Sequence, residues 1–458
     1  MSDRPASPSL SLSFSHTHEQ LQQLARDVLG YAKAQGGTDC EVDFSEGSGL
    51  SVSVRRNQIE TIEQNRDKGM GVTVHLGRRR GNASTSDFST AALQATVEAA
   101  YNIARFTAED DCGGLPDVEL LEMAPPDLQL FYPWEIDTAG AVELARRAEA
   151  AAFAVDARVT NSEGAGVHVQ HSQFVSANSR GFIGGYPYSR HTVSMAAIAG
   201  RGAGMQRDDW YVSVRDAARM ASPEAIGRYA AERALARLRA RSLSTRTCPV
   251  LFEAPLAIGL LGAYVQATSG GALYRRSTFF VDSLGKQVLP SHVQIHEDPH
   301  VIGAMGSAPF DDEGVTTRAR DVVRDGVVQG YFLSTYSARK LGMRTTGNAG
   351  GSHNLTLSSS LTAPGDDLSA MLRKLGTGLL VTELMGQGTN YVTGDYSRGA
   401  SGFWVERGEI QYPVEEITIA GNMRDMLAQI VAVGADTMVR GTKRTGSILL
   451  EQMVVGGS

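Results

Sequence analysis

Apolar positions near the start of the chain recur with a helical period. In "HEQLQQLARDVLGYAKAQGG", which begins at His18, the residues Leu21, Leu24, Ala25, Val28, Leu29 and Ala32 share one face, and Gly36 and Gly37 end the run. The period then falls to two. "CEVDFSEGSGLSVSVRRNQIETIEQ" and "GMGVTVHLGRRRGNASTSDF" alternate apolar with polar residues around a basic turn, which predicts a small curved antiparallel sheet. "STAALQATVEAAYNIARF" returns to the helical period, so residues 16–106 read as a helix–strands–helix unit. The polar, acidic "TAEDDCGGLPDVELLEMAPPDL" that follows reads as a linker.

An alanine-rich helix is predicted over 138–155, then strands in "GVHVQHSQFVSANS" and "SRHTVSMAAIAG". Ser222 and Pro223 form a good helix start, a cap followed by proline in the first turn, and the arginines of "PEAIGRYAAERALARLRARS" read as a solvated face. From about residue 245 short strands and glycine turns take over. "TCPVLFEA" is a buried strand running into an apolar helix. "RDVVRDGVVQGYFL" and "FWVERGEIQYPVEEITIAG" are hairpins turning at Asp325-Gly326 and Arg407-Gly408, and helices are expected near 368–375 and 423–433. The predicted fold class is α+β: an amino-terminal helix–antiparallel sheet–helix unit, a middle α/β segment and a strand-rich carboxyl-terminal domain. The expected boundaries are a flexible leader at 1–17, an amino-terminal α+β domain at 18–120, a central α/β domain at 121–244 and a strand-rich domain at 245–458.

Bulk composition narrows the function classes. A length of 458 residues favours two or three domains over one core. The net charge of −7 leaves no basic footprint, so nucleic acid is an unlikely partner. Cys40, Cys112 and Cys248 lie far apart with no CxxC pair, which fits a reducing cytoplasm better than a disulfide framework. The polar leader has no charged-then-apolar signal pattern, and the greasiest stretch, "APLAIGLLGAYV" at 254–265, is about half a membrane span. The 50 glycines against 15 prolines, without a repeat period, point to many tight turns.

Familiar catalytic constellations are mostly missing. No GxSxG, GxxxxGK[ST] or complete GxGxxG occurs. "HEDPH" at 296–300 spells the HExxH of zinc peptidases, which needs His296 and His300 one helical turn apart and Glu297 as general base. Pro299 opposes that helix by roughly 3 kcal/mol, and the flanks "PSHVQI" and "VIGAMGSAP" read as extended chain and loop, so the string is expected to be coincidence. His168 and His171, three apart in a strand, point to opposite faces, and His16 and His18 belong to the leader region. Two glycine-bent, polar segments remain, "TGNAGGSHNLTL" at 346–357 and "MGQGTNYVTGDYSRGASGFW" at 385–404. Either they bring main-chain groups close to a ligand, or they are tight turns whose side chains satisfy local backbone.

At these residues the chain resembles a known family. "VTELMGQGTNYVTGDYSRGASGFWVERGEIQYPVEEITIAGNMRDML" is similar to the carboxyl-terminal signature of the PmbA/TldE subunits of the TldD/TldE (modulator of gyrase) peptidase family. "SGGALYRRSTFFVDSLGKQVLP", "APFDDEGVTTRARDVV", "STYSARKLG" and "TGNAGGSHN" add to it, as do "NQIETIEQN" and "ASTSDFS", so the likeness spans about 20–458. It implies a heterodimer of homologous subunits acting as a zinc metallopeptidase that matures small peptide precursors and degrades short unfolded peptides. A role in antitoxin turnover is also proposed for such proteins. Substrate is thought to enter a chamber between the subunits as an added β-strand.

The resemblance also says where the catalytic partner holds zinc: an HExxxH helix and a late cysteine. Here the matching positions are Phe252, Glu253, Ala254, Pro255, Leu256 and Ala257, and Thr445 stands near the cysteine's place. Neither histidine is present and threonine is a poor zinc ligand. The chain therefore resembles the non-catalytic subunit, with no catalytic residue, no metal site and no cofactor of its own. Zinc is expected in a homologous TldD-like catalytic partner. Gly350, Gly351, His353, Asn354, Gly388, Asn390 and Arg398 are the candidates for substrate binding, and Arg275 and Arg276 the further groups able to meet carboxylates. Partners are expected to be the TldD-like subunit and unfolded peptides, with a homodimer left open for the isolated chain, and with no nucleic acid and no membrane. Two rivals stand: a peptidase in its own right, using His296, His300 and a carboxylate, and a non-enzymatic homodimeric peptide-binding module.

Overall fold

Thr17 opens the first helix with a reciprocal capping box to Gln20, which fixes α1 (His18–Ala34) and its buried face of Leu21, Ala25, Val28 and Ala32. A computed structural model describes residues 14–457, and these group into two compact units. Among the described residues, one comprises 14–109 with Gln129–Leu238, the other Asp110–Leu128 with 239–457.

In the first unit, β1 (Asp39–Arg55), β2 (Gln58–Leu76) and β3 (Arg79–Thr85) lead to α2 (Thr90–Phe106) and α3 (Thr138–Phe153). β4 (Val159–Asn178), β5 (Ile183–Ala199), β6 (Gln206–Val214) and α4 (Pro223–Ala236) follow. All six strands form one antiparallel sheet in the order β3-β2-β1-β4-β5-β6. The expected amino-terminal and central segments thus share a sheet, joined where β1 lies against β4 along fourteen registered pairs from Glu41↔Asn178 to Val54↔Ala165. Alternate side chains of β1 reach one face. Val42 and Phe44 pack with α1 and α2, whereas Leu50, Val52 and Val54 pack with α3 and α4.

Between those two apolar patches the same face is polar and buried: Glu46 and Ser48 on β1, His171 and Gln173 on β4. Two extended segments lie on this seam. His16 donates its N–H to Glu46 and accepts from Gln173 Nε2 on its carbonyl. Tyr132 donates to Ser189 Oγ, and Trp134 donates to His171 Nε2 at 3.1 Å. The leader expected at 1–17 is therefore held at residues 14–17 by the Glu46 contacts and the α1 cap; residues 1–13 lie outside the described ones.

The second unit contains two further sheets. Its elements are β7 (Arg246–Phe252), α5 (Ala254–Ala267), α6 (Gly270–Tyr274), β8 (Val293–Glu297), β9 (Arg320–Arg324), β10 (Val327–Val328) and α7 (Thr335–Lys340). Then come β11 (Leu355–Ser359), α8 (Leu368–Leu375), β12 (Gly378–Met385), β13 (Asp395–Glu406), β14 (Glu409–Asn422) and α9 (Met423–Ala428). β15 (Ile430–Val433), β16 (Met438–Arg440), β17 (Lys443–Thr445) and β18 (Ile448–Gly456) complete it. One sheet runs β10-β9-β8-β11-β17-β16 and the other β14-β13-β12-β7-β18-β15. Residues of both enclose α5 in one core that includes Phe252, Leu261, Tyr264, Ile295, Leu357 and Val381. α8 covers the outer face of the second sheet through Met371, Leu372 and Leu375.

Two sequence expectations need correction. The helix expected over 423–433 stops at Ala428, because Ile430 and Val433 are β-branched, buried and paired with β18. The stretch read as a linker is anchored in the second unit. Leu115, Leu121 and Leu128 are buried, and the Arg339 guanidinium donates to the carbonyls of Gly114 and Leu115. No helix among the described residues is long and apolar enough to cross a membrane.

Candidate functional site

The five residues "HEDPH" do not form a helix. Val293, Ile295 and Glu297 of β8 point inward, so His296 faces out, where its Nδ1 lies 2.7 Å from Asp321. His300 follows Pro299 in the loop and meets Thr317 Oγ1 at 3.1 Å. Glu297 is 1% exposed and fully engaged. One carboxylate oxygen accepts from Arg320 Nε at 2.8 Å; the other accepts from Asn348 Nδ2 at 2.9 Å and from the His353 N–H at 2.8 Å. Arg320 stands opposite Glu297 on β9, and its guanidinium lies over the Phe332 ring. The glutamate that mimics a catalytic base is the buried anchor of the glycine-rich segment.

That segment, 346–354, is built around acidic neighbours. Gly350 has φ +93°, and a side chain there would meet the Asp312 carboxylate at 2.4 Å. Asp311 accepts from the N–H groups of Glu313, Val315 and Ala349, yet burial pushes its carboxyl up to about 7. Burial also raises Asp312, opposed by the nearby His353. His353 Nε2 contacts the Gly347 carbonyl at 3.0 Å. Asn354 brackets two loops, donating to Asp298 O and Ser307 Oγ and accepting from the Gly306 N–H. Gly350 is exposed and Gly351 half-buried, so the bent backbone forms the surface while the side chains of His353 and Asn354 hold it from behind.

The second segment is the tip and base of the β12–β13 hairpin. The Gly388 carbonyl accepts from the Ser397 N–H, and any side chain at Gly388 would run into the Ser397 carbonyl. The exposed Asn390 closes the tip by accepting from the Val392 N–H at 3.0 Å. Arg398 is half-buried, with Nε buried and lacking a hydrogen-bond partner. It lies beside Tyr396, whose hydroxyl burial pushes up to about 12. The two glycine-rich segments belong to different sheets of the unit, and no hydrogen bond among the described residues joins them. Arg275 rests on the Tyr274 ring, and Arg276 pairs with Asp282 at 3.6 Å with both side chains exposed.

At the start of α5, Phe252 and Ala257 are buried and Pro255 occupies the first turn. The Leu256 and Ala257 N–H groups close that turn on the Glu253 carbonyl. Thr445, on the β17 strand against which α5 packs, is fully buried, and its hydroxyl has no hydrogen-bond partner. Phenyl and methyl groups offer no electron pair to a metal, and a lone neutral hydroxyl is a weak ligand, so these residues do not fit zinc. No group of three His, Cys, Asp or Glu among the described residues is placed to hold an ion. Sequence reasoning missed Asp311, Asp312 and the Glu297–Arg320–Asn348 network. Their signal was a charged residue closing an apolar strand, "HVQIHE", and the paired acids of "FDDEG".

Three family models match in series: PmbA/TldA metallopeptidase domain 1 over 40–104, the central domain over 131–238 and the C-terminal domain over 245–457. The chain belongs to the PmbA/TldD metallopeptidase family. Metalloprotease PmbA of Escherichia coli is 47% identical over 425 residues, which cover 93% of this chain and 94% of that protein. Haemophilus influenzae provides an informative pair. Its PmbA homolog is 45% identical over 99% of this chain and 100% of that protein, whereas its TldD homolog is 24% identical over 80% and 79%. The fold matches a crystal structure of TldE from Thermococcus kodakarensis, with TM-score 0.82 and 19% identity, covering 95% of this chain and 100% of that one.

Proposed function

We propose that this chain is the non-catalytic subunit of a TldD/TldE-type zinc metallopeptidase that processes and degrades small unfolded peptides, including leader removal. The observation that carries this reading is the start of α5. Where the family resemblance places an HExxxH helix, this chain has Phe252 and Ala257 buried in its core, and Thr445 near the place of the late cysteine. A lone Glu253 without a metal cannot activate water as a zinc site does. The much higher identity to a PmbA homolog than to a TldD homolog of the same organism supports assigning the chain to the PmbA side of such a pair. Zinc and the catalytic base would then belong to a TldD-like partner. A reducing cytoplasm is the compartment this reading assumes, in keeping with three unpaired cysteines.

In this reading the chain closes the chamber and helps hold the substrate strand. Gly350, Gly351, Gly388, Asn390 and Arg398 would line it, and His353 and Asn354 would keep the first two in shape. Glu253→Gln in the assembled complex tests the claim that this subunit carries no chemistry. Turnover close to that of the parent complex is expected, with zinc remaining in the partner. A loss approaching a thousandfold with assembly intact would show that Glu253 acts in the reaction.

A further inference from the structure

The outermost long strand of the first unit is only partly covered. β3 pairs with β2 over residues 70–76, whereas residues 58–68 have β1 on one side and no strand among the described residues on the other. Every residue from Gln58 to Lys68 is exposed. In register, Ile62 stands opposite Val52 and Ile59 opposite Val54, two buried core valines of β1. Residues directly opposite in a pair project to the same face, so both isoleucines extend the core face to the open edge. Each is 45% exposed. An open edge carrying uncovered isoleucines is a template for another strand.

Charges normally blunt such an edge, but here their order is self-complementary. Laid antiparallel on a second copy about Gln64, the stretch sets Glu60 opposite Lys68, Ile62 opposite Arg66 and Glu63 opposite Asn65, each twice. No like charges meet. Centring the pair on Glu63 brings two glutamates together, and centring it on Asn65 sets Glu63 against Asp67. Lys68 overlies the Phe88 ring at 4.9 Å and acts on the Asp87 carboxylate through its charge, and among the described residues no side-chain hydrogen bond or salt bridge holds its ammonium away from the edge. Among the described residues Glu60 pairs with Arg55 at 3.8 Å, with both side chains exposed. Such a pair contributes little and yields readily.

We propose that residues 58–68 form an interface at which two copies of this chain join edge to edge, antiparallel about Gln64, so that the six-stranded sheet continues across the pair. The inference is independent of the peptidase reading, since it concerns the chain without its partner. Sedimentation of the full chain over a wide concentration range tests it. A reversible dimer is expected. Glu60→Lys and Lys68→Glu should each weaken it, roughly tenfold because two ion pairs are replaced by like-charge pairs, and the double reversal should restore it. Ile62→Asp should abolish it, with circular dichroism reporting an intact fold for these exposed substitutions. A chain that stays monomeric at every concentration overturns the proposal, as does a dimer indifferent to both single reversals or one the double reversal fails to restore. Protection of residues 58–68 from hydrogen exchange only on adding a TldD-like subunit or an unfolded peptide would assign the edge to that partner and equally overturn self-pairing.

Discussion

At Glu297 three donors converge on two carboxylate oxygens, and one of them, Arg320, brings a full opposite charge into a buried site. Removing the carboxylate leaves that guanidinium uncompensated, which typically costs 3–5 kcal/mol, far more than an exposed ion pair contributes. Glu297→Ala should therefore lower the midpoint of thermal unfolding by many degrees, and Glu297→Gln by less, since the amide oxygen still accepts one bond. Zinc content should not change in either variant. An unfolding midpoint within a degree of the parent for the alanine variant would contradict the assigned role. Asp311 makes a complementary point. Its three backbone donors favour the carboxylate, but burial outweighs them and pushes its carboxyl up to about 7, while burial raises the adjacent Asp312 as well.

Hairpins and capped helices were legible because their signals are local. Asp325-Gly326 and Arg407-Gly408 both adopt positive φ at the turns where those dipeptides predict them. Thr17, Ser89, Asp137 and Ser222 each cap the helix that follows. Pro299 was enough to reject a helical "HEDPH", and the strand and loop found there follow from the apolar alternation before it. What sequence could not reveal was pairing at a distance. β7 lies parallel to β12 and β11 parallel to β17, partners about a hundred residues apart, and Ile430 joins a sheet because β18 waits beside it. The glycine-rich segments were visible as unusual, yet only the fold shows that Gly388 must be glycine. Gly388→Ala drives a methyl group into the Ser397 carbonyl and should cost about 2–3 kcal/mol, readable as loss of hydrogen-exchange protection across the β12–β13 hairpin. Unchanged protection there would mean that the hairpin yields more easily than its packing implies.

Across the whole chain, two features were beyond sequence reading. The first unit carries two apolar cores on one face of a single sheet, separated by a polar seam onto which residues 14–16 and 130–134 are strapped. The helical periods predicted the helices but not that Glu46, Ser48, His171 and Gln173 would meet between them, since β1 and β4 are more than a hundred residues apart. The second unit keeps the strand-then-helix entry to α5 that the sequence shows, and encloses it where metal ligands would stand with apolar side chains instead. The family is shown by the whole chain; the proposed division of labour rests on those few positions. The most direct test of that division is cleavage of unfolded peptides, with bound zinc quantified, by this chain alone and after mixing with a TldD-like partner. The account predicts no cleavage and no stoichiometric zinc for the chain alone, and zinc-dependent cleavage on mixing. Chelator-sensitive cleavage by the isolated chain, carrying its own zinc, would contradict it.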